Sequence, residues 1–336
     1  MLDQNSYIKK YQENMTPLMA ACLNRSFKTL TLLLEAQADV NAKDGYQDTS
    51  LIYLCREKYV VNAQEDEDKN NQTLKIPKFC LDQLISKGAD INVKGRDGMT
   101  ALMHCARNGN STFIQVLEAN NVNMKLQCNE GRTALIYATQ YQSEECVSCI
   151  YYLINNSDVN ARDAEGDTAL MHSIKYKNER VFMFLVKKSD INIQNNQRMT
   201  ALMLAVQTEE KKYVAELLNH GPLLNLQNKD GDTALILATR NGEENKKDIF
   251  KLLCEAKGIE LNTQNKQGET ALIVAARNLN KTFVEDLISK GAHRFMTDKD
   301  RKSALDHATQ SKSELKGDTE IGEQIMEMLK KKKINK

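Results

Sequence analysis

The sequence predicts an all-α array of stacked helix-turn-helix units, and three observations carry that reading. The first is a recurring Thr-x-Leu at Thr16, Thr49, Thr100, Thr133, Thr168, Thr200, Thr233 and Thr270, with Ser303 in the same place of a last copy. Successive spacings are 33, 51, 33, 35, 32, 33, 37 and 33, so one period runs through the whole chain. The second is a shared internal order. A turn such as "RDGMT", "NEGRT", "AEGDT", "KDGDT" or "KQGET" leads to a short Ala- and Leu-rich segment, then to an apolar segment such as "STFIQVLEAN" or "KTFVEDLISK". Each copy closes on "ADVNAKD", "ADINVKG", "SDVNARD" or "SDINIQN". The third is that Leu102, Met103 and Ala106 share one face at the helical period.

The Asp-Gly dipeptides suit tight turns, so each unit opens on a turn. The first helix follows, and its small residues Ala106, Ala138, Ala205, Ala238 and Ala275 let neighbouring units approach closely. The second helix supplies Leu, Ile, Val and Phe to the layer between units. One such unit cannot bury enough surface to offset its chain entropy, whereas stacked neighbours can. Aromatic residues are only 6% of the chain and tryptophan is absent, so the core rests on Leu, Ile, Val, Ala and Met.

The 51-residue spacing between Thr49 and Thr100 holds an insertion. It falls between the two helices of the second unit and includes the acidic run Glu65 to Asp68, so residues 58–76 read as a mobile loop. Pro77 would then open the next helix, where its missing N–H costs little. Smaller insertions near "QYQSEECVSC" and "NGEENKKDIF" also fall between helices. The expected organisation is a single array over 1–336. It has an N-terminal capping repeat over 1–42, a second repeat with the inserted loop over 43–93, central repeats over 94–296 and a C-terminal capping repeat over 297–336. That last repeat ends in a basic tail, Lys330 to Lys333, read as a solvated helix end.

These units resemble the ankyrin repeat, whose usual form is an Asp-Gly turn, Thr-Pro-Leu-His, two alanines, an apolar second helix and Gly-Ala-Asp-Val-Asn. The resemblance covers nearly the full chain in nine units. It implies a curved ankyrin-repeat solenoid with β-hairpin-like connecting loops, first helices and hairpin tips lying on the concave side. Departures are systematic. Only Pro17 keeps the proline after Thr, later units having Ala101, Ala134, Ala169, Ala201, Ala234 and Ala271. Met103, Ile136, Met171, Met203, Ile236 and Ile273 stand where the family has histidine, so the joint between hairpin and helix should shift towards apolar packing.

Catalysis finds little support. No Gly-rich phosphate cradle of the usual kinds follows a strand. Cys146 and Cys149 have the spacing of half a zinc site, with Cys128 the nearest other candidate, but a structural site needs four ligands, and the pair reads as helix-core or half-buried thiols on a second helix. His104, His172 and His307 share a repeat position that elsewhere holds Tyr53, Tyr137, Leu204, Leu237 and Val274, the substitutions of a packing position. No catalytic residue, cofactor or metal is therefore expected. Lys+Arg (46) nearly cancels Asp+Glu (45), which disfavours nucleic acid or an anionic membrane as the main partner. No apolar run is long enough to span a bilayer, the start lacks a secretory signal, and the single cysteines read as reduced, so a cytoplasmic protein, alternatively cytoskeleton-associated, is expected.

The resemblance places partner binding at hairpin tips and at the ends of first helices. Those positions are Lys94, Arg96, Asp97, Met99, Arg107 and Asn108 in the third unit, Gln127, Glu130, Arg132, Gln140 and Tyr141 in the fourth, and Arg162, Glu165, Asp167, Lys175 and Tyr176 in the fifth. Met199, Gln207, Asp230, Asp232, Arg240, Glu269 and Arg277 follow in later units. Tyr141 and Tyr176 occupy equivalent places and are expected to form one aromatic patch. The implied function is a non-catalytic scaffold or adaptor binding a protein partner through the concave face, the chain being monomeric by itself or part of a larger complex. Two alternatives stay open: a structural component of a cytoskeletal or axonemal assembly, and an effector targeting a host protein.

Overall fold

The computed structural model describes residues 14–56, 67–140, 144–240, 246–314 and 319–330. The chain divides into two compact units, Met1–Leu185 and Val186–Lys336, each built of repeats that touch their neighbours.

In the first unit, α1 (Pro17–Leu23), α3 (Ser50–Arg56), α5 (Ala101–Asn108), α7 (Ala134–Ala138) and α9 (Ala169–Lys175) are first helices. Their partners are α2 (Phe27–Glu35), α4 (Glu67–Ser86), α6 (Ser111–Ala119), α8 (Glu144–Leu153) and α10 (Glu179–Leu185). In the second unit the first helices are α11 (Ala201–Gln207), α13 (Ala234–Arg240), α15 (Ala271–Arg277) and α17 (Ala304–Glu314). They pair with α12 (Lys211–Asn219), α14 (Lys246–Glu255), α16 (Lys281–Ser289) and α18 (Thr319–Lys330). Within each unit, first helices pack on first helices and second on second, giving two parallel layers.

The recurring threonine is a helix cap. The hydroxyls of Thr16, Thr100, Thr133, Thr168, Thr200 and Thr270 each accept the backbone N–H three residues on, satisfying a donor that a first helix otherwise leaves open. Such a cap stabilises a helix by about 1 kcal/mol, a useful fraction for helices of two turns. Ala106, Ala138, Ala205, Ala238 and Ala275 are fully buried, as their small size requires for close approach of first helices. Leu117, Leu153, Leu185, Leu217, Leu253 and Leu287 are equally buried on the second helices, each worth about 1.5–3 kcal/mol of transfer free energy.

The connecting loops are hairpin-like without forming named strands among the described residues. Each closes through a backbone bond from the first residue of the turn to the carbonyl four residues on, as in Asp163 N to Asp167 O at 3.0 Å and Asn228 N to Asp232 O at 3.0 Å. One isolated antiparallel bridge joins Thr297 and Ser303.

The expected loop over 58–76 needs correction. Helix α4 begins at Glu67 and carries Pro77 in its interior, so Pro77 does not open it. A proline inside a helix forfeits one backbone bond, a cost the apolar anchoring of Cys80, Leu81 and Leu84 in the same helix offsets. Residues 1–13, 57–66 and 331–336 lie outside the described residues, and with them the start of the N-terminal cap, part of the insertion and the lysine tail. The seven described free cysteines are all buried. Burial alone pushes the Cys80 thiol up to about 11, away from thiolate chemistry.

Candidate functional site

Two pairings recur where hairpin meets first helix, and both follow from the repeat frame. In the first, the residue that opens the turn faces the residue nine positions later. Tyr53 donates its hydroxyl to Asp44 Oδ2 at 2.7 Å; His172 Nε2 lies 2.8 Å from Asp163 Oδ2; His307 Nε2 lies 2.6 Å from Asp298 Oδ2. Cys128 and Tyr137 make the same joint, Sγ to hydroxyl at 3.4 Å. Where the later residue is aliphatic, at Leu204, Leu237 and Val274, the turn opens on Asn195, Asn228 or Asn265 instead of an acid. The match is physical: a buried carboxylate needs a donor, and an uncharged amide tolerates its absence.

In the second pairing, the residue before the threonine meets the residue eight positions later, at the end of the first helix. Asp48 binds Arg56, Asp167 binds Lys175, Asp232 binds Arg240 at 2.8 Å and Glu269 binds Arg277. The acids are buried and the cations half-exposed, so each pair ties a hairpin base to its helix with one charge still touching water.

Asp163, Asp167 and His172 bring three potential metal ligands within 4.8 Å of one another. The groups are already committed: Asp163 accepts the N–H of Glu165 and Asp167 as well as facing His172, and Asp167 binds Lys175. This constellation is the two structural pairings side by side.

The expected loss of hydrogen bonding at the joint is thus only part of the outcome. Methionine and isoleucine do pack there, but Tyr53, Tyr137, His172 and His307, one place further on, restore a polar link.

Several residues expected at the partner surface are inside. Met99 and Asp232 are buried, and Asp167 is fully so, because the position before the threonine points under the turn towards the helix end. Glu269 shares that fate. Asn108 gives its amide to the carbonyls of Cys55 and Arg56, ending the preceding first helix, and Gln127 bridges Gly131 and Arg162 carbonyls across two turns. Arg132 is half-buried between Glu130 at 3.0 Å and Asp163 at 3.8 Å. Asp97, Arg107, Glu130, Arg162, Glu165, Tyr176, Asp230 and Arg240 remain at the surface, with Lys94, while Arg96 is half-buried over the Tyr46 ring. Tyr141 lies outside the described residues, and so does the patch it was expected to make with Tyr176.

Hairpin tips are bonded to one another, which sequence reasoning missed. In the first unit, Asn129 N donates to Asp97 O and Ala164 N to Glu130 O, at 2.9 and 2.8 Å. In the second, Lys229 N reaches Gln197 O, Lys266 N reaches Asp230 O and Lys299 N reaches Gln267 O, each at 2.9 Å. Gln194, Gln227 and Gln264 add side-chain rungs to the following turn. The signal was in the sequence, as a glutamine recurring just before the turn residue.

Comparison with known proteins agrees with this geometry. A family model described as ankyrin repeats (3 copies) matches residues 76–150, 148–228, 174–265, 211–293 and 243–335, and an ankyrin repeat model matches residues 13–45. The chain is similar to Inversin from Homo sapiens, 29% identical over 177 residues, which is 51% of this chain and 17% of Inversin. It is similar to Ankyrin repeat and SOCS box protein 6 from Homo sapiens, 28% identical over 142 residues, 42% of this chain and 28% of that protein. A shorter likeness, 40% identical over 65 residues, joins it to the probable E3 ubiquitin-protein ligase XBOS33 of Oryza sativa subsp. japonica, across 19% of this chain and 12% of that protein. The chain therefore spans less than a third of the length of each of these relatives. With its threonine caps, its paired helices and its bonded row of turns, the chain belongs to the ankyrin-repeat family.

Proposed function

We propose that the chain is a non-catalytic scaffold or adaptor that holds a protein partner on the face made by its hairpin tips and first-helix ends. The observation that supports this most is the bonded row of tips. Asp97, Glu130 and the turn of Ala164 are linked in series by backbone bonds, so the side chains they display are positioned before any partner arrives. A surface ordered in advance loses little entropy on binding, which favours recognition of one extended segment.

The tips and helix ends also face each other, as the 3.9 Å approach of Lys175 Nζ to Glu165 Oε2 illustrates. Surface residues there include the exposed Tyr176, a type that anchors interfaces well, beside Glu165 and Arg162. Beneath them Asp163 faces His172 and Asp167 binds Lys175 in the two structural pairings. Buried free thiols suit work in the reducing cytoplasm.

The test is capture from native lysate with the full chain. Changing Glu165 to Lys together with Tyr176 to Ala is expected to lower recovery of the principal bound protein at least about tenfold, since interface anchors commonly carry that much affinity. Changing Lys78 to Glu together with Tyr151 to Ala, on exposed positions of second helices, is expected to leave it unchanged. The reverse pattern would overturn the reading.

A further inference from the structure

The unit that opens on Gly95 departs from both pairings, and its two departures meet in space. Nine positions before the ring residue stands glycine, where the units of Tyr53, His172 and His307 have an acid, and His104, only 7% exposed, has an Nε2 atom without a hydrogen-bond partner. Eight positions before the terminal cation stands Met99 where other units have Asp or Glu. Arg107 has no ion pair among the described residues, unlike Arg56, Lys175, Arg240 and Arg277 in the same frame position. The chain cannot supply the missing turn acid itself. A Cβ at Gly95 would stand 2.1 Å from Asp48 Oδ1 and 2.7 Å from Ile52 Cδ1.

Between these two unmatched groups lies a cavity of about 440 Å³, lined by Arg56, Arg96, Asp97, Met99, His104 and Arg107, with Asn108 at its wall. Arg56 is bound to Asp48, whose other oxygen accepts the Arg96 backbone N–H at 2.8 Å. The Arg96 guanidinium stacks over Tyr46 at 4.6 Å and comes within 4.0 Å of Asp97. Among the described residues Arg56 and Arg96 thus each have a carboxylate and Arg107 has none, which leaves one unmatched positive charge at the cavity and room for an acidic side chain. Burial, Arg56 and Arg107 hold the His104 ring down to about 3, so it is neutral near pH 7 and carries a single N–H.

We propose that this cavity receives one carboxylate of the bound protein, an Asp or Glu side chain held between the Arg96 and Arg107 guanidiniums above His104. The ligand's carboxylate thereby takes the part that Asp44, Asp163 and Asp298 play in their units. The flat guanidinium fork matches a carboxylate bidentately. A phosphate dianion would carry more charge than the single excess to be neutralised. The proposal rests on the protein-binding reading above and assigns the chemistry of one contact on that face.

The experiment is an NMR titration of the full chain with sodium acetate or inorganic phosphate, ionic strength being held constant with sodium chloride. Acetate is expected to move the His104 ring and Arg107 Nε–H signals saturably, and phosphate to act at least severalfold more weakly. Arg107→Gln, at an exposed position, is expected to weaken acetate at least about tenfold through loss of a charge-assisted bond. Met99→Asp, which restores the internal acid, is expected to abolish acetate binding. Absence of saturable shifts, phosphate binding as well as acetate, or shifts that persist in Arg107→Gln would each overturn the proposal. Because acetate is read on the free chain, that failure is separate from failure of the face itself, which the Glu165 and Tyr176 changes judge.

Discussion

Phe283→Ala is expected to destabilise the second unit by about 3–5 kcal/mol, the range for deleting a buried ring that its surroundings cannot replace. Phe283 in α16 is 1% exposed, and its ring stacks on the fully buried Phe250 of α14 with centroids 4.0 Å apart and planes 20° from parallel. These two rings join consecutive second helices. Because repeats are stabilised by neighbour interfaces, a deletion there weakens two repeats at once. Urea unfolding followed by far-UV circular dichroism reads the change. A loss under about 1 kcal/mol would mean that the layer rearranges to fill the cavity.

His104 is expected to make the first unit acid-labile. Its ring is held from the ordinary 6.5 down to about 3 by burial first, then by Arg56 and Arg107. The unfolded chain binds the proton at this ring from about pH 6.5 downwards while the folded chain does not, so protonation favours unfolding throughout that interval. Stability is complete above the unfolded value and falls as pH drops towards 3. Near pH 4.5 the loss attributable to this ring is about 2–3 kcal/mol. His104→Leu removes it, and leucine is already tolerated at the equivalent Leu204 and Leu237. Denaturation midpoints of the two proteins between pH 7 and pH 4.5 give the comparison: the parent should lose more than the leucine variant, and equal slopes would show that the ring does not carry the effect.

The fold was legible because its determinants are local and repeated. A threonine before each first helix is a cap that short helices need, and alanines at one helical face have no other use than close approach. The helix through Pro77 was not legible, since proline's missing donor points to a helix start, whereas the anchoring by Cys80, Leu81 and Leu84 emerges only on packing. The partner face was legible in outline only. Tip and helix-end positions could be named from the frame, but which of their side chains turn inward depends on pairing eight or nine residues away. That rule was present in the sequence all the same. Asp44, Asp163 and Asp298 each stand nine residues before a ring, Asn stands where an aliphatic residue follows, and a cation ends the helix in four units where an acid precedes the threonine. Reading those positions together would have moved Asp167 and Asp232 from the surface to the joint. It would also have singled out His104 and Arg107 as the pair left over.

The central claim, that a protein partner sits on the tips and first-helix ends, is tested most directly by lysine-reactive cross-linking of the full chain in native lysate, with mass spectrometry of the linked peptides. Exposed lysines sample both faces, Lys94, Lys229, Lys266 and Lys299 at or beside the tips, and Lys78, Lys87, Lys212 and Lys251 on or just after second helices. Partner cross-links are expected at the first group. Links confined to the second group would place the partner on the opposite surface and contradict the account.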